Sequence, residues 1–134
     1  MARYDKYDPK SGGFRAKLFA DQLKTSAGNP IGVGLNSTGR VVVGAGQTGI
    51  VGVIATTKDM KAGDVVDVMT AGECVECISP LVAGTVITAN TTTGVLGIGA
   101  ASATLTPIGY TAEALTATQV RLIVRRGTQP FIGT

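Results

Sequence analysis

Hydrophobic positions along this 134-residue chain fall into short runs broken by glycine, asparagine or threonine. From Ile31 onward the runs read "IGVGL", "RVVVG", "GIVGVIA", "VVDVM", "CVECI", "TVIT", "VLGIG", "IGYTAEA" and "VRLIVRR". Runs of about five residues, rich in Val and Ile and bounded by turn formers, predict strands. Their even spacing predicts a mainly β domain with little helix, a barrel, roll or small sandwich. Only "YTAEALTA", residues 110–117, offers a turn of helix.

The first 28 residues are different. Asp8-Pro9, Ser11-Gly12-Gly13 and Gly28-Asn29-Pro30 are breaker signals that set them apart. Within them "GFRAKLFA" alternates Phe14, Ala16 and Leu18 against Arg15 and Lys17, as a half-buried strand does. Phe14/Leu18 and Phe19/Leu23 also fit helical spacing, and the extended reading is preferred. The organisation expected is an extended arm over residues 1–28, a β domain over 29–127 and a docked tail over 128–134.

Residues 61–78, "KAGDVVDVMTAGECVECI", nearly repeat at an offset of nine, Ala62–Met69 against Ala71–Ile78. The register aligns Cys74 with Val65 and Cys77 with Val68. Both cysteines then act as small hydrophobes in valine positions. On an alternating strand residues three apart point to opposite faces, which argues against a shared ion. The chain also has no third cysteine and no histidine to complete a four-ligand zinc site. Asp64 and Glu73 each follow Ala-Gly, where a turn passes into a strand, and Asp67 and Glu76 fall on the outward face. The four read as solvated charges that discourage edge-to-edge association.

Composition narrows the chemistry further. Without histidine the commonest general base and metal ligand is missing. "LNSTG" lacks the nucleophile-elbow pattern. "GAGQTG" has the dinucleotide-binding spacing at Gly44, Gly46 and Gly49, but that chemistry needs a helix next, and "IVGVIATT" is β-branched. A glycine-rich connection between strands explains it equally well. These readings point away from an enzyme, and no cofactor, metal or small-molecule substrate is expected. No apolar stretch is long enough for a membrane span or a signal-peptide core, so synthesis in a cytoplasm with reduced cysteines is expected.

Charge is unevenly placed. Residues 1–24 and 121–134 each carry a net +3, and the stretch between them carries −3. Basic ends on an acidic body suit docking onto an acidic neighbour. Four of the six aromatics, Tyr4, Tyr7, Phe14 and Phe19, also lie in the first 28 residues. An extended arm of 24 residues reaches up to ~80 Å, whereas a body of ~100 residues has a radius of gyration of ~13 Å. Such an arm can lie on another subunit.

From about Gly49 to Gly127 the Ile/Val-Gly-Val strand, the "KAGDVVDVMTAGE" double turn, "LVAGTVITANTTTG" and the closing "PIGYTAEALTATQVRLIVRR" together resemble the small β-roll capsid decoration proteins of phages. This is the head-stabilising class that includes the lambda-type trimers. The opening "MARYDKYDPKSGGFRAKL" is similar to the N-terminal arm of decoration proteins from phages of actinobacteria. The resemblance implies a small β-roll/barrel-like (β-tulip-like) domain and a virion protein, made in the host bacterial cytoplasm, that binds the outer capsid surface as a homotrimer and clamps adjacent major capsid subunits. The arm would then carry the capsid contacts, with Tyr4, Tyr7, Phe14 and Leu18 as anchors and Arg3, Lys6, Lys10, Arg15 and Lys17 facing acidic groups. The alternatives are another virion part, in the tail or baseplate, and a polyanion-binding module. The latter is disfavoured because arginines are few and most of the aromatics lie in the arm, so nucleic acid is not an expected partner.

Overall fold

A computed structural model of the chain describes residues 12–24, 29–78, 81–114, 116 and 119–125. Among them are ten strands and no helix, so the protein is mainly β. The strands are β1 (Gly13–Lys17), β2 (Ile31–Leu35), β3 (Val41–Val43), β4 (Gly52–Ile54), β5 (Val65–Met69), β6 (Ala71–Ile78), β7 (Val86–Asn90), β8 (Leu96–Ile98), β9 (Leu105–Ala114) and β10 (Gln119–Arg125). They form two five-stranded antiparallel sheets, ordered β1-β5-β4-β2-β3 and β6-β10-β9-β7-β8. Tyr110–Ala114, expected as a possible helical turn, lies in β9, where pairing with β10 overrides its helical spacing. The expected tail over 128–134 lies outside the described residues.

The first sheet curls around its own core of Leu18, Ile31, Val33, Val41, Ile54, Met60, Val66 and Val68. A parallel bridge from Leu18 to Val41, with the Phe19 N–H donating to the Val41 carbonyl at 2.9 Å, joins the two ends of the sheet. The second core lies between the sheets. Ile50 and Val53 from the outer face of the first sheet meet Cys77, Leu81, Ile87, Ala89, Leu96, Ile108, Val120, Leu122 and Val124. Strand β4 shows the division, since Val53 turns to the second core and its neighbour Ile54 to the first.

Along one edge the sheets come into backbone contact. The Gly32 N–H donates to the Gly94 carbonyl at 2.7 Å and the Ala45 N–H to the Thr91 carbonyl at 2.9 Å, while the Gly44 N–H, within the first sheet, donates to the Gly32 carbonyl at 3.0 Å. Only glycine fits there. A Cβ on Gly94 would sit 2.3 Å from the Gly32 oxygen, and its φ of 72° is left-handed. Asn90 shapes the turn, its Oδ1 accepting from the N–H groups of Thr92 and Thr93 at 2.8 and 3.0 Å. Asn36 does the same in the β2–β3 turn, accepting from Thr38 and Arg40. Both asparagines therefore serve as turn formers.

Replacing Gly94 by Val is expected to cost about 3 kcal/mol or more, because backbone strain and a clash with a carbonyl coincide. Gly63→Ala meets nothing within 4 Å at a φ of 91° and should cost about 1–2 kcal/mol from strain by itself. Urea denaturation of the two variants measures the difference.

Candidate functional site

The expected docking residues do not form one exposed set. Arg3, Tyr4, Lys6, Tyr7 and Lys10 lie outside the described residues. Strand β1 pairs with β5 over its full length, from Gly13 opposite Met69 to Lys17 opposite Val65. Phe14 and Ala16 pack against the first core, and Leu18 is buried within it at 1% exposure. This corrects the arm boundary at residue 28. The alternation in "GFRAKLFA" does mark a half-buried strand, but the surface that buries it is the chain's own β5 and β3. Phe14 and Leu18 are thus committed to the fold.

Arg15 and Lys17 point outward. Arg15 Nε donates to Asp67 Oδ1 at 2.7 Å, with both side chains about three-quarters exposed. Such a pair adds little stability and separates easily. Beyond β1, the Lys24 N–H donates to Asp59 Oδ1 and the Ala62 N–H to Asp21 Oδ1, which ties residues 21–24 to the body as well. Among the described residues, then, the segment ahead of Asn29 belongs to the domain.

The nine-residue repeat is only half preserved. Its first copy behaves as expected, with a turn at Ala62-Gly63, Asp64 Oδ2 accepting from the Lys61 N–H at 2.9 Å, Val66 and Val68 buried, and Asp67 exposed. In the second copy Ala71-Gly72-Glu73 is already strand. Glu73 binds Arg121 at 2.5 and 3.0 Å, and Arg121 also reaches Glu113 at 3.3 Å. The guanidinium hydrogen bonds hold the Glu73 carboxyl below its ordinary range.

The cysteines depart furthest from expectation. Val120 of β10 faces Cys77 and Leu122 faces Cys74, so two steps on β10 oppose three on β6. This bulge cancels one alternation of the pleat. Val120 and Leu122 both lie in the inter-sheet core, and directly opposed residues share a face, so Cys74 and Cys77 share that face. The sequence-based placement on opposite faces is corrected accordingly. Cys77 is buried like its repeat partner Val68, whereas Cys74 packs on the inter-sheet core and its partner Val65 is 60% exposed.

Both cysteines line a cleft of about 1020 Å³, together with Met69, Val53, Ala55, Pro30 and Ala71. It opens where the β6 edge of the second sheet parts from the first, across the fold from the glycine seam. Arg15 and Asp67 stand among its lining residues. Burial pushes the Cys77 thiol up to about 11, with Cys74 adding to it. Burial, and then the charge of Glu73, also raises Cys74. At neutral pH both are thiols. The described residues hold no group of three His, Cys, Asp or Glu suited to a metal ion.

The glycine run at 44–49 joins β3 directly to β4 with no helix between, and a Cβ on Gly44 would meet the Thr91 and Thr92 carbonyls at 2.7 Å. Gly46 likewise lies close to the Leu35 carbonyl, whereas Gly49 stands in open space at a left-handed φ of 79°, as a connection between strands allows. No protein-family model matches the chain, and no curated protein matches it in sequence.

Two outcomes are expected. Deleting residues 1–11 leaves thermal unfolding nearly unchanged, whereas deleting 1–20 removes β1 and Leu18 and leaves little cooperative transition. Leu18→Ala by itself should cost about 2–5 kcal/mol. For Cys77, alkylation should quicken about tenfold per pH unit from neutrality with no plateau below about pH 11. A folded value above the unfolded one also means that stability is full below about pH 9 and is lost as pH rises through 11. Equilibrium unfolding at stepped pH reads that loss.

Proposed function

We propose that the protein is a non-enzymatic structural component of a phage virion that binds the outer face of the head and stabilises it by holding adjacent major capsid subunits together. The sequence resemblance over Gly49–Gly127 supports this reading. The observation that carries it is the edge of β1. Among the described residues, Gly13–Lys17 pair with β5 on one side and with no strand on the other, the sheet closing onto β3 only past them, at Leu18 and Phe19. Strand β1 also carries the exposed cations Arg15 and Lys17, Arg15 pairing with Asp67 of β5. The eleven residues ahead of Gly12 add Arg3, Lys6 and Lys10, together with Tyr4 and Tyr7.

An unpaired strand edge invites strand addition, in which backbone hydrogen bonds supply affinity and flanking side chains choose the partner. Because Phe14 and Leu18 are held in the core, attachment falls to residues 1–11, with Arg15 and Lys17 beside them. Their positive charge suits an acidic capsid surface and speeds encounter. A homotrimer at three-fold positions of the head is the assembly proposed, since cyclic association covers strand edges that a lone subunit leaves open.

Mixing the purified chain with undecorated heads, followed by cryo-imaging, tests this. Full-length protein should give trimeric density on the outer surface, and the 1–11 deletion should lose most of it while remaining folded. Arg15→Ala with Lys17→Ala should slow association and flatten its salt dependence. Undiminished decoration by the 1–11 deletion removes the attachment role. Absence of any decoration by the full chain, with steeply salt-dependent binding to DNA instead, replaces the reading with a polyanion-binding one.

A further inference from the structure

We propose that Met69, Cys74 and Cys77 form a binding site for one soft monovalent metal ion, Cu(I) being the probe, in the cleft between the two sheets. The bulge in β6 carries the inference. It turns two thiols three residues apart onto one face, where a regular strand would separate them. Met69, at the end of β5, adds a thioether, and its Sδ lies 4.0 Å from Cys74 Sγ. In a trigonal set that separation corresponds to metal–sulfur bonds of about 2.3 Å, an ordinary length. Cys77 Sγ lies 3.9 Å from the Cys74 carbonyl oxygen, on the same turn of backbone. All three residues line the same cleft, which gives an ion a way in.

The donor set chooses the ion. Two thiolates and one thioether, with no imidazole or carboxylate among the three, suit a soft cation content with low coordination. Zinc wants four ligands in a tetrahedron, which three sulfurs do not supply. On binding, the two thiol protons pass to solvent and two metal–thiolate bonds form, with no change of oxidation state. The site does not depend on capsid attachment, since none of its residues lies in the segment or on the strand edge assigned to that role.

The test is anaerobic titration of the full chain with the Cu(I)–bicinchoninate complex, following loss of the coloured complex as the protein takes the ion. One Cu(I) per chain is expected, with no displacement by equimolar Zn(II). Cys74→Val with Cys77→Val keeps side-chain volume, so the fold, checked by circular dichroism, should persist while uptake disappears. Met69→Leu should weaken binding about tenfold and leave the stoichiometry at one. Failure of the full chain to draw Cu(I) from bicinchoninate overturns the proposal. So does equal uptake by the double valine variant, and so does one ion held between two chains.

Discussion

The contact on which the rest of the fold depends is the backbone seam at Gly32, Gly44 and Gly94. Two sheets faced with ordinary side chains pack about 10 Å apart. Here the β7–β8 turn approaches β2 and the end of β3 closely enough for direct hydrogen bonds, at 2.7 Å from Gly32 to Gly94 and 2.9 Å from Ala45 to Thr91. That approach fixes one edge of the second sheet against the first. At the opposite edge the chain passes from β5 to β6 through the single residue Thr70. Along that margin the Gly12 carbonyl accepts from the Thr70 and Ala71 N–H groups at 2.9 and 3.3 Å, and beyond this short link the sheets part at β6, where the cleft lies.

The bulge in β6 works within that opening. A strand at a sheet margin tolerates an extra residue more easily than one paired on both sides. Its outcome is local but chemically large, because the cleft wall gains a second thiol. The same strand turns Glu73 outward to Arg121, and the ion pair is only about one-third exposed. One short segment thus presents sulfur to the interior and carboxylate to the exterior.

Integration of β1 changes what attachment to a partner can mean. A segment that supplies Leu18 to a closed core, and hydrogen bonds through Phe19 to β3, is not free to leave its own body. The outward-facing cations and the unpaired edge remain available, so a partner would extend the first sheet without drawing a strand out of it. The proposal therefore separates residues that fold the domain from those that meet the capsid, a division that runs through β1 by alternation of its side chains.

The sequence by itself determined the strands. Val- and Ile-rich runs bounded by Gly, Asn and Thr announce extended structure locally, and "IGVGL", "VVDVM" and "VRLIVR" all lie in strands because the propensity and the period-two pattern agree. The turn roles of Asn36 and Asn90 are local chemistry of the same kind. Partners were not legible, because alternation says which side of a strand is buried and nothing about what buries it. So "GFRAKLFA" was readable as a half-buried strand but not as the neighbour of β5. The cysteine placement failed for a related reason. A bulge is an agreement between two strands forty-odd residues apart in sequence, and the nine-residue repeat carries no trace of β10. Only the tertiary structure, by setting Val120 opposite Cys77 and Leu122 opposite Cys74, decided that two residues three apart would face the same way.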